Sequence, residues 1–174
     1  VSAQFLLYSG SGVEGIRCEV RDFKSPSAVM PSDIAQARFV RYTLADKGGK
    51  DCRCNRGPVN ETILVPDMID SLKVFNMEER TVRPVWVTVR IPQDAQPGVY
   101  KTEVVVKAKG AGKISMPLEL EVLDQVLPDY KDWTFHLDLW QHPSAIARAL
   151  NLELWSDEHF EAIKQHMRPL AEAG

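Results

Sequence analysis

Three runs in the middle of the chain, residues 82–91, 98–107 and 114–123, restrict its fold more than any other feature. Each is rich in β-branched residues, and none carries a helical period. The breaks between them leave the backbone little choice. In Pro92-Gln93-Asp94-Ala95-Gln96-Pro97-Gly98 the prolines cannot donate to a ladder, and the glycine admits conformations closed to other residues, so the chain turns there. Lys109-Gly110-Ala111-Gly112 reads as a short hairpin connection. In the last run Ile114, Met116, Leu118, Leu120 and Val122 share one face against Ser115, Glu119 and Glu121, and Pro117 confines that strand to an edge or a bulge.

The first third repeats the pattern. Residues 4–8, 15–23 and 37–44 are β-rich runs separated by Ser9-Gly10-Ser11-Gly12 and Lys24-Ser25-Pro26-Ser27. Within the second, Ile16, Cys18 and Val20 point one way and Arg17, Glu19 and Arg21 the other, the period of a sheet with one face in a core. Residues 45–76 are the least regular, broken by Gly48-Gly49, Gly57-Pro58 and Val65-Pro66, and are expected to form a long loop or an insertion along a sheet edge. Strands at this spacing, with no helix among them, predict a mainly β fold, an antiparallel immunoglobulin-like β-sandwich over residues 1–128. Trp86 stands mid-strand among apolar neighbours and is expected to pack in its core rather than to offer a stacking platform.

At Leu127-Pro128-Asp129-Tyr130 the composition changes, and residues 129–174 read as the start of a second, α/β domain. Residues 133–140 predict a strand with Phe135, Leu137 and Leu139 on one side and Thr134, His136, Asp138 and Trp140 on the other. A short helix follows Pro143. Ser156-Asp157-Glu158 opens a longer one, with an N-cap oxygen and first-turn carboxylates that oppose the dipole. Phe160, Ile163, Met167 and Leu170 recur at three-to-four spacing and predict a buried stripe. A strand followed by a helix is the repeating unit of a (β/α)8 barrel or an open α/β fold, and one unit is incomplete by itself. The segment 133–174 is therefore expected to dock on the sandwich or to self-associate through its uncovered stripe.

Net charge is -3, with acids and bases interspersed, which argues against a nucleic-acid partner. No apolar run approaches the ~20 residues of a membrane span. Val1 does not begin a leader of charged then apolar residues, and a leader removed before it would fit a secreted, periplasmic or cell-surface protein. The three cysteines, Cys18, Cys52 and Cys54, cannot all pair within one chain, and Cys52-Arg53-Cys54 lacks the two-residue spacer of zinc knuckles and redox dithiols. Ordinary free thiols, or a bridge from Cys18 to one of the pair, both fit; neither a metal site nor a cofactor is expected.

The cluster suited to chemistry is His136, Asp138, Trp140 and His142. In a β/α barrel the C-terminal ends of strands face the active site, where an indole can stack on a sugar and carboxylate and imidazole groups can bind hydroxyls. Alternatively, His136 and Asp138 fill the barrel interior as a hydrogen-bonded pair and Trp140 is core. The adjacent acids Asp157-Glu158 are explained by helix capping, and Arg38, Arg41, Arg53 and Arg56 by solvated surface.

The run Trp133-Thr134-Phe135-His136-Leu137-Asp138-Leu139-Trp140-Gln141-His142-Pro143, then Leu154-Trp155-Ser156-Asp157-Glu158-His159-Phe160, resembles the start of the catalytic domain of proteins related to glycoside hydrolase family 123. Ala37-Arg38-Phe39-Val40-Arg41-Tyr42, Pro84-Val85-Trp86-Val87-Thr88-Val89 and Pro97-Gly98-Val99-Tyr100 resemble the sandwich that precedes it. The resemblance implies a sandwich joined to a (β/α)8 barrel that removes β-linked N-acetylgalactosamine from glycans. It also implies an adjacent aspartate and glutamate on later strands, beyond Gly174, with the substrate's own acetamido group as nucleophile. No catalytic residue is then expected here, and His136, Asp138, Trp140 and His142 would line the substrate end. Three roles are consistent with this chain: an accessory sandwich of a β-N-acetylhexosaminidase-like enzyme, a carbohydrate-binding module, and a structural immunoglobulin-like domain.

Overall fold

The computed structural model describes residues 1–46, 62–135 and 137–171. Two compact units divide the chain, Val1–Asp124 and Gln125–Gly174. Among its described residues the first contains ten strands: β1 (Ser2–Ser9), β2 (Val13–Val20), β3 (Phe23–Lys24), β4 (Val29–Met30), β5 (Ala35–Asp46), β6 (Thr62–Ile69), β7 (Phe75–Met77), β8 (Thr81–Val89), β9 (Gly98–Ala108) and β10 (Ala111–Val122). They form a four-stranded sheet in the order β1-β8-β5-β6 and a six-stranded sheet in the order β4-β3-β9-β2-β7, with β10 added on β9. All the pairings are antiparallel.

The core lies between the sheets and is assembled from alternate residues. Val87 and Val89 of the first sheet meet Phe23, Tyr100, Val104, Leu120 and Val122 of the second in one cluster. Phe39 and Val85 meet Ile16, Met77 and Val106 in another. Burying a valine or phenylalanine side chain contributes roughly 1.5–3 kcal/mol, so these two clusters fix which face of each strand points inward. The alternation expected for β2 holds, with Cys18 and Val20 packed against the core. Pro117 lies on β10, an edge strand whose partner is β9, where its missing N–H costs no ladder bond to a further neighbour. Ile114 keeps the parity of Met116, Leu118, Leu120 and Val122 but is exposed, at the end of β10 nearest the hairpin.

Of the two readings of 45–76, the described residues agree with the insertion along a sheet edge and not with a long loop: β6 pairs along β5 as the edge strand of its sheet, and β7 follows it. Pro66, which argued against a strand, falls where the β5–β6 register slips between Arg41 and Tyr42, a position where a proline is tolerated. Residues 47–61, with Cys52, Cys54, Arg53 and Arg56, lie outside the described residues. Trp86 is not a core residue. It belongs to neither core cluster and is half-buried, because Val85, Val87 and Val89 take the inward face of β8 and alternation turns Trp86 outward.

Asp70, just past β6, ties that edge strand down. Its carboxylate accepts hydrogen bonds from Arg41 Nε at 2.9 Å and from the Leu72 N–H at 3.1 Å, and pairs with Arg41 Nη2 at 2.7 Å. Burial disfavours the charged form, but the hydrogen bonds from Arg41 and Leu72 and the guanidinium charge outweigh it and hold the carboxyl below its ordinary value.

The second unit holds α1 (Pro143–Leu150) and α2 (Asp157–Ala171). The strand expected over 133–140 has no ladder among the described residues. Its backbone groups find no neighbouring strand here, and a single extended segment cannot satisfy them by itself. The stripe on α2 is only partly covered: Ile163 and Leu170 are half-buried, Phe160 and Met167 are both 48% exposed, and the buried residues of that helix are His159 and Ala162. No described helix is long and apolar enough to cross a membrane.

Candidate substrate-end segment

The residues singled out for chemistry lie just before α1, and the structure shows how that place is held. Pro143 occupies the first helical turn, where its fixed φ suits a helix and its missing N–H is not needed. Asn151 ends α1 in the left-handed conformation, φ 53°, with its N–H directed to the carbonyls of Ala147 and Arg148. Ser156 then caps α2: its Oγ accepts the His159 N–H at 3.2 Å and donates to the Glu153 carbonyl at 2.9 Å. Asp157 and Glu158 fill the first turn of α2 as expected of helix-start carboxylates.

His159 joins these parts. It is fully buried, its Nδ1 accepts the Trp155 N–H at 3.0 Å, and its Nε2 lies 2.9 Å from the Pro143 carbonyl. A backbone N–H facing Nδ1 and a carbonyl facing Nε2 select the neutral tautomer protonated at Nε2. The imidazole thus fastens the start of α2 to the residue that follows His142. Trp155 adopts φ 66°, an uncommon conformation for a bulky residue, and its N–H bond to His159 helps to keep it there. Sequence reasoning missed His159. Its place at N3 after the Ser156 cap marked it as an inward-facing helix position, but not as a bridge to Pro143.

Of the four candidates, His136 lies outside the described residues. Asp138, Trp140 and His142 are all exposed. Asp138 Oδ2 accepts the Trp140 indole N–H at 3.2 Å, which brings these two together through a side-chain bond. Trp140 is 91% exposed, so neither indole face is covered by the described residues of this chain. His142 precedes α1 without capping it through its side chain, and its carbonyl accepts the Ala145 N–H at 2.9 Å. Nearby, the Trp133 and Phe135 rings stack at 4.9 Å. The arrangement offers an indole whose edge is steered by a carboxylate and whose faces are free. Such a surface suits stacking against a ring with C–H faces and accepting bonds from hydroxyls.

No group of three or more metal-ligating side chains occurs among the described residues. An open cavity of about 610 Å³ lies on the sandwich, lined by residues of mixed charge, Arg21, Asp22, Lys24, Lys101 and Glu103, with the hydroxyls of Ser32, Thr102 and Ser115.

Comparison with known proteins supplies a family context. A family model described as the glycoside hydrolase 123 N-terminal domain matches residues 1–108, and one described as the glycoside hydrolase 123 catalytic domain matches residues 140–174. Among solved structures, a family 123 glycoside hydrolase from Clostridium perfringens, described in connection with glycolipid glycan hydrolysis, aligns with a TM-score of 0.84 at 22% identity. The alignment covers 99% of this chain and 30% of that one, so this chain spans under a third of that structure's length. No curated protein matches the chain.

Proposed function

The chain belongs to glycoside hydrolase family 123, and from that premise we infer that it forms the N-terminal sandwich and the opening of the catalytic domain of an enzyme that cleaves β-linked N-acetylhexosamine from glycans. The carrying observation is the order of the two family matches: a sandwich over 1–108, then a catalytic match beginning at Trp140, the indole left open with Asp138 bonded to its edge. The sandwich acts as an accessory domain. Asp138, Trp140 and His142, with His136, line the substrate end of the completed barrel. Asp138 fixes the indole plane, Trp140 stacks on the sugar, and His159 holds the segment in register through Pro143. The chain alone is inactive, because the acid and the acetamido-orienting carboxylate belong to later strands of the barrel. A polymeric or membrane-borne glycan places the enzyme outside the cytoplasm, in a secreted, periplasmic or surface location.

The test uses the longer protein that contains this chain, assayed on chromogenic β-N-acetylgalactosaminide and β-N-acetylglucosaminide. Hydrolysis by the longer protein and none by the 174-residue chain is the expected result. No hydrolysis of either substrate by the longer protein overturns the reading. Trp140→Ala in the longer protein is expected to raise KM about tenfold or more, as loss of one stacking contact worth ~1.4 kcal/mol would.

A further inference from the structure

The two outward faces of the sandwich differ in kind. On the six-stranded sheet the outward residues of β2, β9 and β10 form a charged ladder, with Lys107 paired to Glu19 at 2.8 Å and Lys101 to Glu119 at 4.0 Å. That is a surface made for water. On the four-stranded sheet the inward positions are Phe5 and Leu7 of β1, Val85 and Val87 of β8, and Ala37 and Phe39 of β5. The positions between them therefore face outward, and the register sets them in rows. Gln4, Trp86 and Arg38 form one row, Ser2, Thr88 and Gln36 the next, and Leu6 and Pro84 the row on the other side, where Leu6 is exposed and Pro84 is fully buried. Tyr8 stands opposite Val82 beyond them.

We propose that this face is a glycan-binding surface, with Trp86 and Tyr8 as stacking platforms, Arg38, Gln4, Gln36 and Thr88 as hydroxyl-binding groups, and a short oligosaccharide as its ligand. Trp86 is flanked across both neighbouring strands by a primary amide and a guanidinium, the long polar side chains that can reach hydroxyls at the rim of a stacked sugar. Arg38 Nε is buried and has no hydrogen-bond partner, an orphan donor beside the indole's strand position. Tyr8 is 69% exposed and Leu6 64%, so aromatic and aliphatic surface continues along β1, whereas Pro84 of β8 is fully buried and adds none. Four residues of β8 separate the Trp86 and Tyr8 rows, about 13 Å at the usual strand rise, which an oligosaccharide of a few units spans. A surface meant for tight docking of another domain would be depleted of polar groups at its centre, whereas here Gln4, Arg38, Thr88 and Gln36 surround the indole. The proposal uses none of Asp138, Trp140 and His142, and it stands or falls independently of hydrolysis.

The experiment titrates the 174-residue chain with four tetrasaccharides, β-1,4-linked N-acetylglucosamine, β-1,4-linked glucose, β-1,4-linked galactose and β-1,4-linked mannose, while following the four tryptophan indole N–H signals by NMR. At least one tetrasaccharide is expected to shift the Trp86 signal saturably, with the Trp133, Trp140 and Trp155 signals unmoved. Tyr8→Ala, at an exposed position where folding is unaffected, is expected to weaken binding about threefold or more, and Trp86→Ala about tenfold or more. Failure of every tetrasaccharide to move Trp86, shifts confined to the other tryptophans, or affinity unchanged in Tyr8→Ala overturns the proposal. So does a Trp86 signal in the longer protein that no longer answers a sugar this chain binds, since the face would then be a contact between domains.

Discussion

Replacing His159 with alanine tests the structural logic of the second unit. The imidazole is fully buried and bonds at both nitrogens, to the Trp155 N–H and the Pro143 carbonyl. Its removal forfeits two hydrogen bonds worth about 1 kcal/mol each and leaves two backbone groups to find water or stay unpaired, at about 1–3 kcal/mol apiece. Partial entry of water into the hole moderates this, and a net loss of about 3 kcal/mol follows, equivalent to a rise of roughly a hundredfold in local opening. The assay is amide hydrogen exchange of α1 and α2, with the core amides of β8 and β9 as internal reference, because those strands belong to the other compact unit. His159→Ala is expected to accelerate exchange in both helices together and leave β8 and β9 unchanged. His159→Asn, whose amide oxygen can replace Nδ1 as acceptor for the Trp155 N–H, is expected to recover about half of the loss. Exchange in α1 and α2 within about threefold of the wild type in His159→Ala would refute the bridge as the element that holds them.

Asp70 has a depressed folded-state pKa, so its contribution to stability is fully present above the ordinary aspartate value of about 4 and fades as pH falls through the folded one. Asp70→Asn is therefore expected to lower Tm at neutral pH and to converge with the wild type in acid, as followed by thermal melts across pH; a constant difference down to the lowest pH would contradict the Arg41 pairing. Burial pushes the Cys18 thiol up to about 11. Its thiolate population at pH 8 is then about a hundredfold below that of an ordinary thiol, and alkylation of native protein by iodoacetamide should be slower by a similar factor until denaturant is added.

Most of the sandwich was legible because its signals are local. The alternation of Ile16, Cys18 and Val20, the proline-bounded turn at 92–98 and the Gly110 hairpin each restrict a few residues at a time, and together they leave a β-sandwich. What escaped depended on partners distant in sequence. β6 was hidden by Pro66, whose tolerance follows from a register slip visible only once β5 lies beside it. Trp86 sat in an apolar run, yet parity alone decides its side, and parity is fixed by Val85 and Val87 meeting the opposite sheet. The 133–140 segment was expected as an apolar, alternating strand and forms none among the described residues, because a strand exists only with a neighbour to pair with. The Asp138–Trp140 bond was within reach of the sequence, as two residues on one side of an extended segment, whereas the His159 bridge to Pro143, sixteen residues away, required the helices' packing.

We propose that this sandwich and helix pair belong to a family 123 glycoside hydrolase whose substrate end includes Trp140. The most direct measurement is the release of free N-acetylhexosamine from a β-linked glycolipid glycan by the longer protein, compared with its Trp140→Ala variant and with the 174-residue chain. Release by the longer protein, a raised KM in the variant and none from the chain is the result the account predicts. No release by the longer protein, or release with the same KM in Trp140→Ala, would contradict it.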